Sequence, residues 1–273
     1  MKPSVLKFAV LSAAAVLSWG VCAAPKKMVA HRGAGDLTMP EASLPAYSNA
    51  VSTACDIVKL DLQYTKDGVI VMGHDQTLKR NMGWDVMIKD HPYAEILERG
   101  RFLEKGKPGE LRIVRLDEAL TAAKPVPEFW LDFKNYSPEM AEKAMAELAR
   151  AGIDQSRVMI ATFSRAALAY FRDKHPSIRR VGHFQFRDGE GHDEGMKRVV
   201  QLRDEYRLFG VNMPIAKHQT DIEDIAFLKK SGLWVSLWFV QNKADAAAYA
   251  GSGADAFVTD HVSIVRPPCQ SRP

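Results

Sequence analysis

Cysteine is scarce in this 273-residue chain: Cys22, Cys55 and Cys269 are all it has. None sits in a Cys-x-x-Cys or other ligand-like context, which argues against a zinc site. Charge of one sign is scarce as well. Lys and Arg number 37 against 33 Asp and Glu, a net charge of +4 with no concentrated basic stripe. That balance gives no support for a nucleic-acid partner and only mildly favours anionic ligands. No nucleotide-binding glycine fingerprint follows the first apolar strand. The segment His31-Arg32-Gly33-Ala34-Gly35 lacks the later glycine and runs into a loop containing Pro40. Internal repeats and low-complexity stretches are absent too. What is present is ordinary globular material, 47% hydrophobic and 26% charged, enough to bury a sizeable core.

The N-terminus carries the clearest targeting signal. Lys2 and Lys7 flank the start of an apolar run, Phe8-Ala9-Val10-Leu11 through Val16-Leu17, that exits through small residues at Val21-Cys22-Ala23-Ala24. The run is too short and too rich in Ala and Ser for a membrane span, and it reads as a cleavable signal peptide over residues 1–23. Residues 24–273 are then a single mature domain, periplasmic or secreted, with no stable membrane insertion after cleavage. Cys55 and Cys269 remain, and spacing alone leaves a disulfide and two free thiols equally open.

Short apolar runs alternate with amphipathic ones almost to the end. The strand candidates are Met28–Ala30, Ile57–Tyr64, Val69–Met72, Phe129–Phe133, Val158–Thr162, Arg180–Phe184, Phe209–Asn212, Leu233–Val240 and Ala256–Val258. Helical stretches lie between them at Leu44–Ala54, Pro138–Ala151, Arg165–Lys174, Gly195–Tyr206, Asp221–Ser231 and Lys243–Gly251. This rhythm predicts an α/β fold, a TIM (β/α)8 barrel. Nine candidates for eight places mean that one strand lies outside or is misread. The stretch from about 76 to 114, with Gly83-Trp84, His91-Pro92 and Gly106-Lys107-Pro108-Gly109, breaks the rhythm and reads as a small insertion after the third strand.

In such a barrel the chemistry sits at the carboxyl ends of the strands. There the sequence places His31 and Arg32; Lys59 and Asp61, on one face of a strand; His74 and Asp75; Asp132 and Lys134; Trp238; and Thr259-Asp260-His261. The two histidines His31 and His74, several acids and three cations at one mouth suit phosphodiester hydrolysis. One imidazole removes a proton from the attacking oxygen, another protonates the leaving one, and cations neutralise the phosphoryl oxygens. Each residue alone also has a structural reading: Lys59 and Asp61 as an interior ion pair, and Asp75 as a loop-orienting acid. His91, His175, His183, His192, His218 and His261 lack such company and read as structural.

The run His31-Arg32-Gly33, Pro40-Glu41-Ala42-Ser43, Asp61-Leu62-Gln63-Tyr64-Thr65-Lys66-Asp67-Gly68 and His74-Asp75-Gln76-Thr77-Leu78-Lys79-Arg80 resembles the glycerophosphodiester phosphodiesterase family. Leu131-Asp132-Phe133-Lys134, Val235-Ser236-Leu237-Trp238 and Gly253-Ala254-Asp255-Ala256-Phe257-Val258-Thr259-Asp260 extend the likeness over nearly the whole mature chain. The resemblance implies a TIM barrel that hydrolyses glycerophosphodiesters such as glycerophosphocholine or glycerophosphoethanolamine to sn-glycerol 3-phosphate and an alcohol. His31 and His74 would be the acid/base pair, with Arg32, Lys134 and Lys59 at the phosphate. In the family's usual course a glycerol hydroxyl attacks phosphorus and water opens the cyclic phosphate. Related activities implied are a phospholipase-C/D-like reaction on lysophospholipid or phosphoinositol headgroups, or non-catalytic phosphodiester binding.

One departure bears on the cofactor. Where the family has Glu-x-Asp, its Glu a divalent-metal ligand, this chain has Lys59-Leu60-Asp61. One reading makes Lys59 the cation in place of metal, as the basic side chain of bacterial phosphatidylinositol phospholipases C is used. Another keeps Glu41, Asp61 and Asp132 as ligands of Ca²⁺ or Mg²⁺; a third makes the change the mark of a lapsed enzyme. Trp238, with Tyr64 and Trp84, reads either as an aromatic wall for the alcohol or as barrel packing.

Overall fold

The computed structural model describes residues 26–34, 39–104, 107–215 and 219–266. The expected signal peptide, Cys22 and Cys269 lie outside the described residues. Eight parallel strands close a barrel: β1 Lys27–Ala30, β2 Ile57–Tyr64, β3 Glu128–Phe133, β4 Val158–Thr162, β5 Arg179–His183, β6 Gly210–Pro214, β7 Trp234–Trp238 and β8 Ala256–Thr259. Closure is made by β1, which pairs in parallel with β8 on one side and β2 on the other. Around them run α1 Leu44–Ser52, α2 Leu116–Ala122, α3 Pro138–Arg150, α4 Arg165–Lys174, α5 His192–Tyr206, α6 Ile222–Lys230, α7 Lys243–Ala248 and α8 Val262–Val265. Two of these, α2 and α8, were not expected. Helix α3 begins as its sequence dictates, with the Ser137 side chain accepting from the Met140 N–H and Pro138 in the first turn. Its buried stripe, Met140, Ala141, Ala144, Met145 and Leu148, faces the sheet.

The surplus strand is Ile70–Met72. It pairs antiparallel with β2, Leu62 opposite Met72 and Tyr64 opposite Ile70. Only five residues separate the two strands, including a turn at Gly68 with φ of 76°. A parallel return needs a crossover of about a dozen residues, so this segment can only fold back. The insertion expected after the third strand therefore leaves the barrel between its second and third strands. It is a packed unit: Val71, Leu78, Met82, Ile88, Ile96, Phe102 and Ile113 form a separate apolar cluster.

Alternation along the strands sorts residues into two compartments. Val58, Leu60 and Leu62 of β2 join the large cluster beneath the helices. Inside the barrel, Val29, Ile57, Trp130, Met159, Ala161, Val181, Ala256 and Val258 form a second apolar cluster. Above this plug the interior turns polar, with Lys59, Asp61, Gln63, Asp132, His183, Asn212 and Ser236 all buried. That change of layer puts polar chemistry at the carboxyl ends of the strands. Cys55 is a free, buried thiol, pushed up to about 12 by burial.

Candidate active site

The turn after β1 fixes the first histidine. His31–Gly33 form a single tight turn in which Arg32 has a left-handed φ of 53°. Gly33 follows at φ of 87°, and a Cβ there would stand 3.0 Å from the Ala46 backbone of α1. Only glycine combines that conformation with that approach. His31 is thereby sunk into the mouth, its side chain 5% exposed, and the Phe239 ring lies 4.4 Å away, centroid to centroid. Its Nδ1 lies 2.7 Å from Asp260 Oδ1. The Arg32 Nε–H donates to its Nε2 at 3.2 Å. The proton consequently sits on Nδ1, between ring and carboxylate. Burial holds the imidazole down to about 4, against the pull of Asp260. Asp260 is itself gripped by Gln241, whose amide nitrogen donates to its Oδ2 and whose Oε1 accepts its backbone N–H.

His74, in the loop after the hairpin strand, faces His31 with ring centroids 6.5 Å apart at 76°. Its Nδ1 lies 2.8 Å from Asp75 Oδ1. With its side chain 33% exposed it is the more accessible imidazole, and burial lowers it, opposed by Asp61. Arg80 then joins the two halves of the site. Its Nε donates to Asp75 Oδ2 at 2.6 Å and its Nη2 to Glu41 Oε1 at 2.6 Å. Hydrogen bonding from Arg80 takes Asp75 down to about 2. Glu41 also receives Arg32 Nη1 on both oxygens, at 2.8 and 2.7 Å. Arg80 was not singled out from the sequence, and its role shows only once the insertion is folded.

Below the histidines lies a four-charge cluster. The register sets Asp61 of β2 beside Asp132 of β3. The Lys59 ammonium donates to both carboxylates, at 2.8 Å to Asp132 Oδ2. From above, Lys134 donates to the same Asp132 oxygen at 2.7 Å and stands 3.2 Å from Asp61 Oδ1. Burial would raise both acids, yet the two lysines hold them below the usual carboxylate range. Burial would likewise lower Lys134, which Asp61 and Asp132 instead hold above its ordinary value.

These residues do not make a divalent-metal cage. Glu41 is turned onto Arg32 and Arg80, and with Asp61 and Asp132 it forms no group of donor atoms within 4.8 Å of one another. Asp61 and Asp132 are occupied by ammonium groups, leaving Asp61 Oδ2 as a buried oxygen without a partner. One oxygen beside two ammoniums is far from the six or more oxygens that Ca²⁺ prefers, or the octahedron of Mg²⁺. The carboxylates of Glu41, Asp61 and Asp132 are balanced by Lys59, Lys134, Arg32 and Arg80. Among the described residues, the three-donor group that does lie within 4.8 Å is His192, Asp221 and Asp224. Asp221 and Asp224 form the capping box of α6, and Asp224 accepts from His192 at 2.9 Å, which accounts for that cluster.

Trp238 sits at the rim beside Phe163 and Phe239, with ring centroids 6.2 and 5.1 Å away. Trp84 lies in the insertion under Arg99 and against His91, so the rings grouped with Trp238 are Phe163 and Phe239. Near these residues lie Asp260, read from the sequence only as part of a strand end, His183, read as structural, and Gln241, not singled out. A match in strand-interior period to Lys59 and Asp61 could have flagged His183.

Known proteins share the sequence pattern and the fold. The sequence profile of the glycerophosphoryl diester phosphodiesterase family matches residues 31–264. A glycerophosphodiester phosphodiesterase of Bacillus subtilis (strain 168) is 27% identical over 259 residues, covering 86% of this chain and 84% of its own. Among solved structures, a putative glycerophosphoryl diester phosphodiesterase from Silicibacter pomeroyi superposes with a TM-score of 0.74 at 22% identity, over 86% of this chain and 90% of its own. An Oleispira antarctica phosphodiesterase, solved with the product sn-glycerol-3-phosphate, gives 0.72 at 21% identity, over 88% and 94%. These two likenesses show the fold, and the profile shows the family. This chain, a phosphoric diester hydrolase built on a TIM barrel, belongs to the glycerophosphoryl diester phosphodiesterase family.

Proposed function

We propose that this hydrolase cleaves glycerophosphodiesters with His31 as general base and His74 as general acid, and with cations supplied by its own side chains. The observation that carries this reading is the pair of imidazoles facing each other across the mouth, each with its Nδ1 on a carboxylate of its own. A carboxylate at Nδ1 fixes the ring and directs proton exchange to Nε2, which in His31 is free for substrate once the Arg32 Nε–H that it accepts turns to the phosphate. His31, sunk and held near 4, is neutral at working pH and so suited to take the proton of an attacking glycerol hydroxyl. His74, open to solvent, protonates the departing alcohol oxygen. Water then opens the cyclic phosphate with the two roles exchanged.

Arg32 and Lys134 would take the phosphoryl oxygens, and Lys59 supports Lys134 from below through the shared Asp132 oxygen. Four cations, Arg32, Lys59, Arg80 and Lys134, share this region with the carboxylates of Glu41, Asp61, Asp75, Asp132 and Asp260. An anionic phosphodiester is best received there with His74 protonated, which fits its role as the acid. No step is routed through a metal, because the donor set does not suit one. The Trp238–Phe163–Phe239 rim is the surface on which the alcohol portion would rest.

The test is release of sn-glycerol 3-phosphate from glycerophosphocholine by the mature protein. The parent turns over, and His31→Ala and His74→Ala each lose about 10²–10⁴-fold. Unchanged turnover in either variant contradicts the assignment, and binding without turnover in the parent would favour a non-catalytic role. The N-terminal pattern supports export by signal cleavage after Ala23. Protein recovered from the periplasm or medium should begin at Ala24, and retention of residues 1–23 there would refute cleavage.

A further inference from the structure

His183, at the end of β5, is a buried imidazole that the reaction above does not use. Its surroundings determine where its proton lies. The Ser236 hydroxyl donates its one hydrogen to Asn212 Oδ1 at 2.7 Å, in preference to the Val211 carbonyl at 3.4 Å. The Asn212 amide is thereby oriented, and its Nδ2 is left to donate to His183 Nδ1 at 3.2 Å. An Nδ1 that accepts leaves the proton of a neutral ring on Nε2. Burial favours that neutral form, opposed by Asp132. The three residues are lateral neighbours in the sheet, His183 beside Asn212 and Asn212 beside Ser236. They form a hydrogen-bond chain with one direction across β7, β6 and β5.

The chain ends in a donor that is not yet used. His183 Nε2 has no hydrogen-bond partner of ordinary length, and it faces Asp132 Oδ2 at 3.4 Å. That oxygen already accepts Lys59 at 2.8 Å and Lys134 at 2.7 Å. When Lys134 turns to a phosphoryl oxygen, Asp132 loses one of its two close donors inside a dry barrel, where an under-paired carboxylate is costly.

We propose that His183 is a positioning residue whose Nε2–H closes onto Asp132 as Lys134 is released to the substrate phosphate. This inference rests on Lys134 binding phosphate as set out above. Without His183, Asp132 holds Lys134 more tightly and the phosphate is bound more weakly. The effect falls on KM.

The test compares His183→Leu, which removes the donor, with His183→Gln, whose amide N–H reaches the Nε2 position. Both are checked by thermal melting and assayed alongside His31→Ala. We expect KM for glycerophosphocholine to rise about ten-fold in His183→Leu at nearly unchanged kcat, the worth of one hydrogen bond to a charged group, and to recover in His183→Gln. A parental KM in His183→Leu, a loss confined to kcat, or a His183→Gln no better than His183→Leu would each overturn the proposal. If the variants do not fold, ¹⁵N shifts of His183 in the parent decide: protonation on Nε2 supports it, and protonation on Nδ1 overturns it. Full activity in His31→Ala would instead sink the two-histidine reading, whatever His183 does.

Discussion

At the scale of single residues, the site is a set of imidazoles placed by carboxylates. Asp260 faces His31 Nδ1 at 2.7 Å and Asp75 faces His74 Nδ1 at 2.8 Å. Their environments differ, and on the function proposed above that difference separates base from acid. His31 is held near 4 by burial, so it becomes a base only above that pH; His74, lowered from 6.5, serves as an acid only below its own value. kcat/KM should therefore be bell-shaped and skewed to acid, with one limb near pH 4 and the other below 6.5. A profile still rising above pH 8 would contradict the assignment. Replacing Asp260 by Asn keeps the shape but lets an amide donor turn toward the ring, so kcat should fall by about 10²-fold or more. Parental kcat in that variant would remove Asp260 from the account. The two histidines were legible in the sequence as polar residues at strand ends. Asp260 was read only as part of a strand end, because its distance from His31 along the chain hides a contact that barrel closure creates.

At the scale of elements, the turn after β1 and the insertion aim the site. Gly33 combines a φ of 87° with close approach to α1, and Gly33→Ala should cost about 1–3 kcal/mol of stability while misplacing His31. A melting curve and activity equal to the parent's would show that the turn tolerates a side chain. The insertion contributes Arg80, which ties Asp75 to Glu41 and so couples the His74 loop to Arg32. Arg80→Ala should lower kcat/KM about ten-fold, with the insertion still folded on its own apolar cluster, and Arg80→Lys should restore part of it. No loss in Arg80→Ala would mean that the halves are positioned independently. The barrel strands were readable from their apolar runs, and β2 and β4 fell within the expected limits. The insertion was visible only as a break in rhythm. Short ribbons such as Thr77–Leu78 with Trp84–Met87 have too few residues to show a period, and Ile70–Met72 looks like a barrel strand until the five-residue return is considered.

At the scale of the whole molecule, the barrel gathers β2 and β3 so that two carboxylates and two ammoniums share one buried cluster. A buried ion cluster is seldom a source of stability, but breaking it is expensive. Lys59→Met should destabilise the protein by about 3–5 kcal/mol, because it leaves Asp61 and Asp132 facing each other with Lys134 alone. A melting temperature equal to the parent's would show that the cluster is not held by Lys59. The fold class and the reaction class followed from the sequence, whereas the cofactor question did not. Sequence showed that Lys59 stood in place of an acid; only the folded barrel shows that Glu41 is turned away and Lys134 turned in. The central claim is that two imidazoles and the protein's own cations perform the hydrolysis. Its most direct test is the rate of sn-glycerol 3-phosphate release from glycerophosphocholine after exhaustive chelation with EDTA. The account predicts a rate equal to that before chelation; complete loss, restored in full by Ca²⁺ or Mg²⁺, would contradict it.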